Sequence, residues 1–156
     1  ERRPPGRLRH VVSATSVVYR KRATTRRGPS ATAKGVWMST MLSVSSDNHG
    51  DVVVIRAVGD VDATTAGVLR EALTMPLASG RVNLVADLSQ VQFMDSSGLG
   101  VLVGRLKAAR QVGGGLRCVV TTDRIRRIFN ATGLERVLPL YDSAADAVAA
   151  FDVPQS

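Results

Sequence analysis

Apolar and polar residues alternate with changing period along this chain, and each change marks an element. Met41-Leu42-Ser43-Val44-Ser45 alternates as a half-buried strand does. The turn residues Asp47-Asn48-His49-Gly50 follow, and residues 52–58 return as a second strand, which predicts an antiparallel hairpin. Gly59-Asp60-Val61-Asp62 reads as the break that ends this strand. Asp62 or Thr64 then caps a helix through Leu69 and Leu73 that stops near Pro76.

A strand–helix rhythm takes over in the second half. Residues 82–88 are almost continuously apolar, as a strand covered on both faces would be. A loop over residues 89–95 leads to a helix over residues 97–111, which Gly113-Gly114-Gly115 ends. Residues 116–121 form the next buried strand. Asp123 caps a helix carrying Ile125, Ile128 and Phe129, with Gly133 as its left-handed stop. Residues 137–141 read as an edge strand because Pro139 cannot donate to a ladder. Ser143 caps a last helix carrying Ala144, Ala147, Val148 and Phe151. This order predicts an α/β fold, a mixed sheet with helices mainly on one face.

Before residue 41 the periodicity is weak, with at most a short strand or helical turn over residues 11–19. Charge separates the two regions more sharply. The net charge is +8, but residues 1–37 hold ten Lys or Arg against one acid, whereas residues 38–156 hold eleven against twelve. The folded part is therefore nearly neutral, and no direct nucleic-acid binding is expected of it. The expected organisation is a flexible basic extension over residues 1–37 followed by a domain over residues 38–156. The extension has three readings: an arm for an anionic partner, a targeting peptide, or sequence upstream of a true start at Met38 or Met41.

The remaining chemistry narrows the function. No apolar run approaches the roughly 20 residues of a membrane span. With one cysteine, Cys118, the chain has no internal disulfide, which suits a reducing cytoplasm. Cys118 lies within an apolar strand and reads as a core residue. Two histidines, His10 and His49, and one cysteine supply no metal signature, and no cofactor is expected. A Ser-His-Asp triad would have to recruit His49. Neither a Gly-x-Ser-x-Gly elbow nor a phosphate-binding loop ending in Gly-Lys-Ser/Thr is present, so no catalytic residue is assigned. Asp60, Asp62 and Asp95 read as caps and turn formers in preference to cation ligands.

The most informative stretch is Phe93-Met94-Asp95-Ser96-Ser97-Gly98-Leu99-Gly100. Ser96 is placed as an N-cap, its hydroxyl accepting from the amide of Gly98 or Leu99. A helix N-terminus also tolerates a phosphate, because its amides are unpaired and its dipole is positive there. With Leu99, Leu102, Val103 and Leu106 facing the core, the opposite side carries Gly100, Val101, Gly104 and Ala108. Two interior glycines each cost a helix about 1 kcal/mol relative to alanine. A strip of small residues lets another backbone approach beside Ser96, or it relieves crowding within the domain.

These segments resemble the STAS domain of anti-sigma-factor antagonists. The resemblance runs through Gly59-Asp60-Val61-Asp62, the stretch from Phe93 to Arg105, Gly113-Gly114 and the stretch from Arg127 to Leu134, and covers roughly residues 41–152. It implies that Ser96, directly after the aspartate, is phosphorylated by an anti-sigma factor that is also an ATP-dependent serine kinase. The unphosphorylated form would bind that partner and release a sigma factor, phosphorylation would block binding, and a phosphatase would reset it. The expected partner surface comprises Asp62, Thr64, Asp95, Ser97, Gly98, Leu99, Gly100, Val101 and Gly104, with Ser97 as an alternative phosphoacceptor. The same resemblance leaves a second role open, as an accessory subunit of a membrane transport system or a signalling scaffold.

Overall fold

In the computed structural model the structure describes residues 17–20 and 42–152. Six strands form one mixed sheet in chain order: β1 (Val17–Arg20), β2 (Leu42–His49), β3 (Val52–Val61), β4 (Asn83–Met94), β5 (Gly115–Val119) and β6 (Leu140–Tyr141). The first three are antiparallel neighbours, and β3 to β6 run parallel. Among the described residues four α-helices connect or follow them: α1 (Ala66–Ala78), α2 (Ser96–Gln111), α3 (Asp123–Thr132) and α4 (Ala144–Ala149). The α/β reading and the mixed sheet therefore hold. Of the basic extension, β1 alone lies within the described residues, where it pairs with β2; the rest of the expectation for residues 1–37 lies outside them.

The apolar runs are continuous because the central strands are covered on both faces. Val53, Ile55, Leu84, Ala86, Leu116 and Cys118 join Leu69, Leu73, Leu102, Leu106, Ile125 and Phe129 in the main core. Their alternating neighbours Val52, Val54, Val85 and Val119 pack against α4 through Ala147, with Phe151 at the margin. Among the described residues, α1, α2 and α3 thus cover one face and the short α4 the other. Buried Asp87 is satisfied within this framework: its carboxylate accepts from the Ser89 amide and hydroxyl, at 3.0 and 2.6 Å, and from Arg56 Nε at 3.3 Å.

Several boundaries differ from the periodicity reading. Strand β3 does not break at Gly59 but continues to Val61, and β4 runs through residues 89–94, which were expected to be a loop. Register shifts between Arg56 and Val58 and between Gly59 and Asp60 carry the pairing onward. A bulge adds a residue without ending the ladder, so it scrambles the alternation while the strand persists. Helix α1 passes Pro76 and ends at Ala78. A proline so near the end disrupts little, and its carbonyl accepts from the amides of Ser79 and Arg81.

The first hairpin is longer than expected, with His49 still paired to Val52 and the turn at Gly50 and Asp51. The last strand shrinks to Leu140–Tyr141, because the amides of Val137 and Leu138 turn back to the Leu134 carbonyl, at 3.0 and 2.8 Å, and Pro139 has no amide hydrogen to pair. Asp123 lies inside the first turn of α3, and the flanking position belongs to Thr122. Gly133 does stop α3 in the left-handed conformation, at φ 76°, and Ser143 does cap α4 through the Asp146 amide at 3.1 Å.

Candidate functional site

Two neighbouring parallel strands, β3 and β4, end together and place their following loops side by side. Val61 pairs with Met94, and the Asp95 amide donates to the Val61 carbonyl at 3.1 Å. The loop that begins at Asp62 is thereby adjacent to the start of α2. This is the carboxyl edge of the parallel strands, where open α/β sheets commonly place their functional groups.

Asp62 organises the first loop. Its Oδ1 accepts from the Thr64 hydroxyl at 2.8 Å, the Thr64 amide at 2.9 Å and the Thr65 amide at 3.1 Å. Partial burial opposes ionisation of this carboxyl, but the bonds from Thr64 and Thr65 outweigh it and hold the pKa below its usual 3.8. Thr65, which the sequence reading passed over, is the buried anchor of the loop. Its hydroxyl accepts from the Asp62 amide at 2.9 Å and donates to the Asp60 carbonyl at 2.8 Å. The legible signal was the Asp-x-x-Thr spacing itself, since both ends carry local hydrogen-bonding side chains.

At the start of α2 the expected cap is displaced by one residue. Asp95, not Ser96, is the N-cap: its backbone is extended and its Oδ1 accepts from the Ser97 amide at 2.8 Å. Its carbonyl accepts from the amides of Gly98 and Leu99. Ser96 becomes the first helical residue, exposed, and its hydroxyl has no hydrogen-bond partner among the described residues. Asp, Ser and Ser in a row are all competent caps, so composition did not discriminate between them. The consequence for chemistry is direct. A group added to the Ser96 oxygen removes no structural bond.

Packing of Gly98 explains why the helix starts where it does. Gly98 is buried, and a Cβ there would lie 2.7 Å from both Met94 Cγ and Val61 Cγ1. This close approach sets the rotation of α2, whose inward face is Gly98, Val101, Leu102, Leu106 and Ala109. Val101 was expected on the outward face; it is 5% exposed and belongs to the core, so it backs the surface without reaching it. Gly98 likewise supports from beneath, while Leu99 packs partly against the core. Gly100 and Gly104 do face outward, with open space where a side chain would stand. Of the residues expected around Ser96, Asp62, Thr64, Asp95, Ser97 and Gly100 are at least partly exposed, and so is Gly104 further along α2.

His49 lies at the hairpin end of β3, about 30 Å of strand away from the Ser96 end, so a triad with Ser96 is excluded by geometry. Cys118 is wholly buried, and desolvation pushes its thiol pKa up to about 12. Among the described residues no three His, Cys, Asp or Glu side chains are grouped to hold a metal ion. Asp62 and Asp95 direct carboxylate oxygens to backbone amides. No helix of the described residues is long and apolar enough to cross a membrane.

Comparison with known proteins adds to this geometry. A family model described as the STAS domain matches residues 43–147. An anti-sigma F factor antagonist of Paenibacillus polymyxa is 30% identical over 113 residues, covering 72% of this chain and 97% of that protein. An anti-sigma-B factor antagonist of Bacillus subtilis (strain 168) is 39% identical over 93 residues, 60% of this chain and 84% of the other. The solved structure of an anti-sigma factor antagonist from Mycobacterium paratuberculosis superposes with a TM-score of 0.65 at 31% identity, covering 72% of this chain and 95% of that one.

Proposed function

The chain belongs to the STAS-domain family, and on that premise we propose that it is an anti-sigma-factor antagonist switched by phosphorylation of Ser96. The observation that carries this reading is the state of Ser96: exposed, free of hydrogen bonds among the described residues, and first in a helix beside the Asp62 loop. In this reading the protein is a binding partner and not a catalyst. Its partner is an anti-sigma factor that is also a serine kinase using ATP, a phosphatase reverses the modification, and the exchange takes place in the cytoplasm. Residues 38–156 act as the binding unit and residues 1–37 as a basic extension.

The switch follows from charge and contact. Phosphorylation adds about −1.5 to −2 charges and a hydrated group to the centre of the surface. A partner that docks closely over Gly100 and Gly104 must desolvate that group or withdraw. Weakening binding a hundredfold takes only about 2.7 kcal/mol. In the free protein the helix N-terminus stabilises the phosphate, and Asp95 keeps its cap, so the fold has no reason to change. The modification acts at the surface alone.

The test is incubation with ATP and candidate kinases from the same organism, followed by site mapping and partner binding. One added phosphate on Ser96, absent in Ser96→Ala, with binding lost only in the modified protein, is the expected result. Phosphate confined to Ser97, or binding indifferent to the modification, overturns the proposal.

A further inference from the structure

A cavity of about 300 Å³ opens at the end of the molecule opposite Ser96, where β4 and β5 begin and α2 ends. Ser96 and Arg110 are separated by about 20 Å along the helix. Arg110, Arg117 and Asn83 supply its polar lining, and Leu106, Pro139 and Phe151 contribute apolar wall. Neither arginine is paired with a carboxylate among the described residues, where the ion pairs are Arg56 with Asp87 and Arg126 with Asp142.

Arg117 is held in place for such a task. Its guanidinium carbon stands 3.9 Å from the centre of the Phe151 ring, and its Nε donates to the Tyr141 hydroxyl at 3.2 Å. These contacts fix the planar group from one face and one edge, and among the described residues its terminal nitrogens have no hydrogen-bond partner. The space before them is kept open by Gly115: a Cβ there would lie 3.8 Å from Arg117 Nη1 and 3.6 Å from Phe151 Cε1. Leu106 and Arg110 line the cavity from the α2 side of the sheet, and Arg117 and Phe151 line it from the α4 side. Unpaired guanidiniums beside apolar wall suit a ligand with an anionic oxygen head and a small planar or apolar body.

We propose that this cavity binds a small organic anion, with Arg117 on its phosphate or carboxylate, Phe151 against its body and Arg110 adding positive charge from across the opening. The site is separate from the Ser96 surface and does not depend on phosphorylation there.

Titration of the full chain with phenyl phosphate, followed by amide NMR, tests it. Saturable shifts are expected at Gly113, Gly114, Gly115, Arg117 and Phe151, with the amides around Ser96 unmoved. Inorganic phosphate, lacking the body, is expected to bind more weakly at the same amides. Arg110→Gln should lower affinity about tenfold with little change in melting temperature, since it removes one positive charge. Gly115→Val, which fills the cavity, should abolish the shifts. Three results overturn the proposal: no saturation by about 10 mM, well above even a weak Kd of roughly 1 mM; shifts spread over the exposed arginines of α3; or Arg110→Gln that lowers stability but leaves affinity unchanged. In the last case Arg110 serves only the carboxyl end of α2.

Discussion

Asp62 illustrates how one side chain ties local structure to the candidate site. The N-cap position of α1 is Thr65, not Asp62 or Thr64 as expected, and the Asp62 carboxylate instead holds the turn ahead of it by accepting from the Thr64 and Thr65 amides, much as a cap residue does. Asp62→Ala should therefore destabilise the protein by about 1 kcal/mol at neutral pH, measured by urea unfolding. The pH dependence has a definite sign. The folded carboxyl is more acidic than the usual 3.8, so its stabilisation is complete well above that value and is lost as pH falls through the folded pKa. The gap between wild type and Asp62→Ala should be flat near neutrality and close in acid. A gap that widens in acid contradicts the assignment.

Helix α2 carries two kinds of glycine, and substitution separates them. At Gly98 an added Cβ meets Met94 and Val61 at 2.7 Å, and the branched Val61 has little room to yield. Gly98→Ala should cost about 1–3 kcal/mol, as overpacking does, and shift the start of the helix with it. At Gly100 nothing lies within 4 Å, so Gly100→Ala should stabilise the isolated protein by up to about 1 kcal/mol through helix propensity. If Gly100 lies under a closely docked partner, the same variant binds more weakly while melting higher. Thermal unfolding of both variants beside partner binding checks the pair. Gly98→Ala melting at the wild-type temperature would show that the approach to β3 is not tight.

Across the whole molecule, stability depends on covering both faces of one sheet with unequal layers. Helix α4 has only six residues, yet Ala147 is fully buried against Val52, Val54, Val85 and Val119. Ala147→Asp would bury an unpaired charge there and should cost about 3 kcal/mol or more, read as a fall in the unfolding midpoint. A cost below about 1 kcal/mol would mean that α4 does not seal this face.

Much of this architecture was legible along the chain. Period-two and helical patterns, glycine stops and cap residues specified the order of elements, because those signals arise from neighbours a few residues apart. The stretch from Asp95 to Gly100 also marks the candidate site by its residue types alone. Three features were decided only by tertiary structure. Bulges let β3 and β4 run past the points where alternation fails, since pairing with another strand outweighs the local pattern. Contact of Gly98 with Val61 and Met94 chose Asp95 as the cap and turned Val101 inward. The adjacency of Asp62 and Ser96 came from Val61 pairing with Met94, a bond between residues more than thirty positions apart. Local sequence specifies what a segment prefers; where a helix begins, which way it faces and which loops meet are settled by the strands beside it.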